Sequence, residues 1–131
     1  MNKDMLLIDG LQYVNWNREL FEKAQRAGLH AIHVTIAYWE NSRETLENIG
    51  RWNRHFLDHS DLITPVHSAV DILEAKRLGK VGIIFGFQNC SPIEDDVNMV
   101  QILHQLGVRI MQLSYNNQSL LATGCYEEQD G

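Results

Sequence analysis

The sequence predicts an α/β fold with a parallel sheet, on three observations. Short apolar runs recur along the chain, helical patterns separate them, and the clearest run, Val81-Gly-Ile-Ile-Phe-Gly-Phe87, shows no polar alternation. A strand with no alternation is buried on both faces, which is how a central parallel strand reads. With 131 residues, 44% hydrophobic and 21% charged, the chain has the composition of one ordinary globular domain and not of a disordered or repetitive one.

The first run is Met5–Ile8, closed by Asp9-Gly10. A helix is expected from about Asn17 to Ala27, ended by Gly28, and Ala31–Ala37 is the second strand. Asn41 and Glu44 offer a capping box, and Leu46, Ile49, Trp52, Phe56 and Leu57 then recur at helical spacing up to about Ser60. Leu62–Val66 is the third strand. Ser68 and Asp71 open a further helix that Leu78-Gly79 stops. Val81–Phe87 is the fourth strand, a helix is expected from Asp95 or Asp96 to Leu106-Gly107, and Val108–Ser114 is the fifth. The order β-α-β-α-β-α-β-α-β requires right-handed crossovers and a parallel sheet covered by helices. Two architectures satisfy it: a complete five-stranded doubly wound sheet, or about the first half of a TIM-type parallel (β/α) barrel.

The formal net charge of −6, with Lys3, Lys23, Lys76 and Lys80 scattered, argues against nucleic acid, whose phosphates require clustered cations. The opening apolar run is too short for a secretory signal, and no segment approaches the roughly 20 apolar residues of a membrane span. Cys90 and Cys125 form neither a metal pair nor a disulfide framework, which points to a reducing, cytoplasmic location. Phosphate-binding glycine motifs are absent after every strand.

Chemistry in either architecture belongs at the carboxyl ends of the strands: Asp9 to Tyr13, Tyr38 to Glu40, His67-Ser68, Gln88 to Ser91, and Tyr115 to Gln118. These ends are rich in amides, which hydrogen-bond a peptide or polar metabolite but supply no metal charge. Asp9 before Gly10 reads as a turn former more readily than as a site residue. His30 and His33 point to opposite strand faces and do not share a metal. His55 and His59 have the i,i+4 spacing of zinc helices, but no Glu adjoins His55, and a solvated last helical turn is the expectation. His67 is the best-placed histidine, and His104 is read as a packing or surface residue.

At these strand ends the sequence resembles the membrane dipeptidase (renal dipeptidase) family of zinc metallopeptidases, which have an amidohydrolase-like (β/α)8 barrel. The matching stretches are Ile8-Asp9-Gly10, Gly82-Ile-Ile-Phe-Gly-Phe-Gln-Asn89, Leu106-Gly-Val-Arg-Ile-Met-Gln-Leu-Ser-Tyr-Asn116 and Gly124–Gly131. The resemblance implies that residues 1–131 are the N-terminal portion of a single dipeptidase-like barrel domain, a hydrolase of dipeptides or related amides that is inactive as this fragment. It implies a pocket lined by Gln88, Asn89, Tyr115 and Asn116, with a dipeptide or other small molecule as partner. Zinc is the family's cofactor. Here, however, Leu11 and Tyr13 stand where the family has His-x-Asp, Gln88 where it has a bridging Glu, and Tyr115 where it has a substrate-contacting His. Neutral groups of this kind do not hold a dinuclear centre, so no metal ligand or catalytic residue is assigned within the chain. The alternative function is a non-catalytic homologue that binds a small polar ligand. A half barrel with open edges is expected to aggregate or form homo-oligomers.

Overall fold

A computed structural model describes residues 5–130. The elements are β1 (Ile8–Gln12), α1 (Arg18–Arg26), β2 (Ala31–Ala37), α2 (Ser42–Asp58), β3 (Ile63–Pro65), α3 (Ala69–Leu78), β4 (Val81–Phe87), a 3-10 turn (Ser91–Ile93), α4 (Met99–Gln105) and β5 (Val108–Met111). The alternation of strands and helices is the expected one. Strand order runs β1-β2-β4-β3, with β5 also paired to β4, and the registers of β1 with β2, β3 with β4 and β4 with β5 are all parallel. A doubly wound sheet places its first strand inside and reverses direction across it. Here β1 ends the order and β4 lies between β2 and β3, which is not that winding.

Three boundaries differ from the sequence expectation. β1 begins at Ile8, because pairing starts where Ile8 meets Ala31. The residues before it are tied down differently: the Leu7 N–H donates to His30 Nδ1 (2.9 Å) and the Leu7 carbonyl accepts the His30 N–H (2.8 Å). α4 starts at Met99 and not at the acidic pair. Asp96 Oδ1 accepts the Asn98 N–H (2.9 Å) and side-chain amide (2.7 Å), a local turn that competes with helix, and Glu94 has φ 52°, incompatible with helix continuation. β5 stops at Met111, after which residues 112–130 form an irregular loop. Lys3 and the other opening residues, and Gly131, lie outside the described residues.

The chain divides into two compact units, residues 1–34 with 53–84 and residues 35–52 with 85–131. In the first, Asn17 caps α1 by accepting the Leu20 N–H (3.1 Å), and α1 buries Phe21 completely, a contribution of about 1.5–3 kcal/mol. Phe21 is ringed by Trp16 (stacked, 5.4 Å), His55 (edge-on, 5.7 Å) and His59 (tilted, 5.4 Å). The expectation of a solvated histidine turn is therefore corrected: both rings are half-buried against Phe21 because α2 turns this side toward the α1 anchor. Burial, followed by the neighbouring His59, lowers the His55 pKa from its ordinary value. At α3, Asp71 Oδ2 accepts the N–H groups of His67 and Ser68 (both 2.8 Å) and the Ser68 hydroxyl (3.1 Å). Gly79 closes the helix at φ 67°, where a side chain would be strained. Gly82 admits the neighbouring strands closely: a Cβ there would lie 2.6 Å from Val66 Cγ2.

In the second unit, Ile36, Ile49, Trp52, Phe85, Phe87, Ile93, Leu103 and Val108 are buried, and the Trp52 and Phe85 rings meet at 5.9 Å. The capping box at α2 is present in both directions, with the Glu44 N–H donating to Asn41 Oδ1 (2.9 Å) and the Asn41 N–H donating to Glu44 Oε2 (3.1 Å). Among the described residues no helix is long and apolar enough to cross a membrane. Apolar side chains stand exposed on both units, Ile8, Leu11 and Val14 on the first and Val97, Leu113 and Leu120 on the second.

Candidate functional site

The carboxyl ends of β2 and β4 and the loop after β5 all belong to the second unit, and a cavity of about 680 Å³ opens there, with Trp39, Asn89, Ser91, Glu94, Gln118 and Leu120 on its walls. The address follows from strand geometry: a parallel strand buried along its length releases its first polar side chains where its ladder ends. β4 ends at Phe87, and Gln88 and Asn89 follow, both buried.

These two amides have different surroundings. Gln88 Nε2 donates to Thr35 Oγ1 (2.9 Å) and its backbone N–H to the Ala37 carbonyl (3.0 Å), which locks the end of β4 to β2. Asn89 lines the cavity, is 4% exposed, and its Oδ1 has no hydrogen-bond partner among the described residues. A buried acceptor left open in this way costs roughly 1–3 kcal/mol until a donor reaches it.

Glu40, at the end of β2, organises the opposite wall. Its Oε2 accepts the N–H groups of Tyr38 (2.6 Å) and Trp39 (2.9 Å), its Oε1 accepts the Asn48 amide (3.3 Å), and its carbonyl accepts the Ser91 hydroxyl (2.8 Å). Burial pushes the Glu40 carboxyl upward, but the backbone N–H groups and the Asn48 amide outweigh it and hold the pKa below the ordinary value. Asn48 also donates to the Ile36 carbonyl (2.8 Å). Glu40 is thus a structural carboxylate that fixes Tyr38 and Trp39, whose rings meet edge to face at 4.7 Å.

Tyr115 packs against Tyr38 at 5.0 Å, and its carbonyl accepts the Cys125 N–H (2.9 Å). The Asn116 carbonyl accepts the Tyr126 N–H (2.8 Å), and its Oδ1 accepts the Cys125 thiol (3.5 Å). Gly124 is required beside them, because a Cβ at this position would collide with the Asn116 backbone. Of the four residues assigned to the pocket from sequence, Asn89 faces the cavity, while Gln88, Tyr115 and Asn116 make the contacts that shape its frame. Trp39 and Glu94 were not singled out from sequence. Trp39 falls within the strand-end stretch Tyr38 to Glu40. Glu94 carries no motif, and its position depends on an irregular turn at φ 52°.

Glu94 Oε1 accepts the Ser42 N–H (3.0 Å), and hydrogen bonds from the Ser42 side chain and backbone lower its carboxyl pKa. Cys90 and Cys125 are both free; burial raises the Cys90 thiol pKa, while Cys125 is exposed.

The first unit contains the end of β1. Asp9 Oδ1 accepts the Leu11 N–H (3.2 Å) and Oδ2 the Gln12 amide (2.6 Å), at the register irregularity between Asp9 and Gln12. Leu11 and Tyr13 are exposed. His33 is buried with Nδ1 2.7 Å from the Gly10 carbonyl, and His30 Nδ1 is taken by Leu7. His67 and His104 are exposed. No group of three or more His, Cys, Asp or Glu side chains that could hold a metal ion occurs among the described residues. The donor set, leucine, phenol and carboxamide at the strand ends, does not suit zinc.

Fold and site together define a parallel α/β protein with a cavity at its strand ends that combines amide, hydroxyl and carboxylate groups with apolar wall. The chain belongs to the membrane dipeptidase family (peptidase family M19), whose profile matches residues 12–131. It is 29% identical over 79 residues to the dipeptidase ataJ of Aspergillus terreus, covering 60% of this chain and 19% of that protein. Among solved structures it is similar to an amidohydrolase from Pseudomonas aeruginosa, with TM-score 0.95 and 47% identity over 98% of this chain and 39% of that one. The probable dipeptidase PvdM from Pseudomonas aeruginosa has TM-score 0.75 and 17% identity over 92% of this chain and 38% of its own. Dipeptidase AC, a metallo peptidase of family M19, has TM-score 0.72 and 13% identity over 86% of this chain and 43% of its own. The chain therefore spans about two fifths of these structures and under a fifth of the curated relative. Its fold is part of the family's parallel α/β architecture, and the family is one of dipeptidases.

Proposed function

We propose that residues 1–131 form the N-terminal portion of a TIM-type barrel amidohydrolase that cleaves dipeptides or related small amides, with the cavity at the end of β4 as its substrate pocket. The observation that carries this reading is Asn89, a buried amide whose Oδ1 has no hydrogen-bond partner among the described residues and which lines a cavity at the carboxyl end of a parallel strand, where such folds bind ligands. In this reading Asn89 accepts an N–H of the substrate, and Gln88, Tyr115 and Asn116 hold the walls in place. The family-level cofactor is zinc, which would polarise the scissile carbonyl; residues 1–131 do not supply a fitting ligand set, so the reading places those ligands elsewhere in a longer chain. The fragment itself is inactive and, with its exposed apolar faces, oligomeric or aggregation-prone. The free thiols Cys90 and Cys125 support a cytoplasmic location.

The test pairs metal analysis of a full-length protein with turnover of a dipeptide panel. Bound zinc together with hydrolysis supports the reading. A protein with neither, yet able to bind small polar ligands, is the non-catalytic homologue, a reading favoured by Leu11, Tyr13 and Gln88 at positions where the resemblance calls for ionisable groups. Sedimentation of residues 1–131 as a monodisperse monomer would refute the oligomer expectation.

A further inference from the structure

The cavity at the end of β4 has a one-sided chemistry. Its lining includes one carboxylate, Glu94, and amide, hydroxyl and thiol groups, but no Lys, Arg or His. Glu94 makes no ion pair among the described residues: Ser42 donates to its carboxylate from the backbone N–H and the side chain, both neutral groups, so the negative charge is not cancelled. Asn89 Oδ1 is a buried acceptor with no donor opposite it. A ligand that satisfies it must bring an N–H or O–H, and an acceptor-only carboxylate cannot. The Trp39 indole is 46% exposed and lines the same cavity, offering the kind of aromatic face that attracts cations. Leu120 and Leu121 add apolar wall, suited to the methylene stem of a cation whose charged head is elsewhere.

We infer that this cavity selects a positively charged amine, an alkylammonium group on the substrate, received by Asn89 Oδ1, the Glu94 carboxylate and the Trp39 indole. The inference deepens the hydrolase reading above and rests on it for the identity of the substrate: the preferred small amides carry an ammonium group on a short apolar stem. The binding chemistry itself requires only the cavity.

Two measurements keep these levels apart. The first is calorimetric titration of the full-length protein with n-butylammonium, n-butanol and butyrate. Butylammonium is expected to bind at least about tenfold more tightly than butanol, with butyrate weakest, and Glu94→Gln and Asn89→Leu are each expected to weaken ammonium binding about tenfold. Glu94 is exposed and glutamine keeps an oxygen for the Ser42 N–H, so Glu94→Gln reads out the charge even where Asn89→Leu fails to fold. Equal or tighter binding of butanol or butyrate, or unchanged ammonium affinity in Glu94→Gln, overturns the inference. The second is a comparison, in the full-length protein, of kcat/KM for lysine-containing dipeptides with that for their norleucine counterparts. Preference for lysine supports the inference; hydrolysis without that preference overturns it and leaves the hydrolase reading standing. Ammonium binding in the titration with no hydrolysis of any dipeptide overturns the hydrolase reading and leaves the cation pocket.

Discussion

The histidine pair of the first unit and the strand-end polar groups of the second are held by different means. In the first, His55 and His59 lie against the fully buried ring of Phe21 and stack on one another at 5.7 Å, so aromatic area holds them. In the second, Gln88, Asn48 and Glu40 are held by directed hydrogen bonds to Thr35, Ile36, Tyr38 and Trp39. Aromatic packing is tolerant of small displacements and draws its strength from surface removed from water. Hydrogen bonds are demanding in geometry and weak in net energy. The first arrangement gives stability; the second gives position, which is what a wall beside a ligand cavity needs.

The largest effect expected from this contrast is at Phe21. Phe21→Ala removes the ring around which Trp16, His55 and His59 gather, and a loss of about 3–5 kcal/mol is expected in denaturant melts. A loss under about 1 kcal/mol would mean that the ring cluster is not what stabilises this unit. Next comes Thr35→Val, which takes the acceptor from Gln88 Nε2 and should cost about 1–3 kcal/mol. The double variant Thr35→Val with Gln88→Leu should cost less than the sum of the singles, because no orphaned amide remains; strict additivity would show that the pair acts through packing and not as a directed bond.

Asn17→Ala is a smaller perturbation, expected to cost about 1 kcal/mol through loss of the cap on the Leu20 N–H, readable as a lowered melting temperature with unchanged far-ultraviolet spectrum. The smallest effect is in pH. The His55 pKa is lowered in the folded chain from the ordinary 6.5, so the unfolded chain takes up the proton first. Its stabilising share is complete above the unfolded value and is lost as pH falls through the folded value. Melts between pH 8 and 5 should show this acid loss, and His55→Gln should reduce it. An unchanged pH slope in that variant would assign the effect to other groups.

The alternation of strands and helices was legible because parallel strands leave continuous apolar runs and helices leave periodic ones. The capping pair Asn41 and Glu44 was legible for a local reason: its chemistry is written within four residues. The start of β1 was not, because the run Met5–Ile8 records hydrophobicity, whereas a strand is defined by its partner, and pairing begins only at Ile8. Asp95 and Asp96 resembled a helix start, but Asp96 spends its carboxylate on Asn98. At the site, strand ends gave Gln88 and Asn89 by position alone. Glu94 escaped because its place depends on an irregular backbone turn, and Gln118 and Leu120 reach the cavity from a loop with no periodicity to read.

That loop is sewn together from within. Ser119 Oγ donates toward the Leu113 and Ala122 carbonyls and accepts the N–H groups of Leu121 and Ala122; Glu127 accepts the Gln118 N–H, and Gly124 lets the chain cross Asn116 closely. Its shape depends on these short-range stitches, together with the packing of Tyr115 on Tyr38. New preferences for what enters the cavity can therefore arise by changing the lining residues Asn117, Gln118, Leu120 and Leu121 while Tyr115, Asn116 and Gly124 are kept, and libraries aimed at altered selectivity should be built there before any strand is varied.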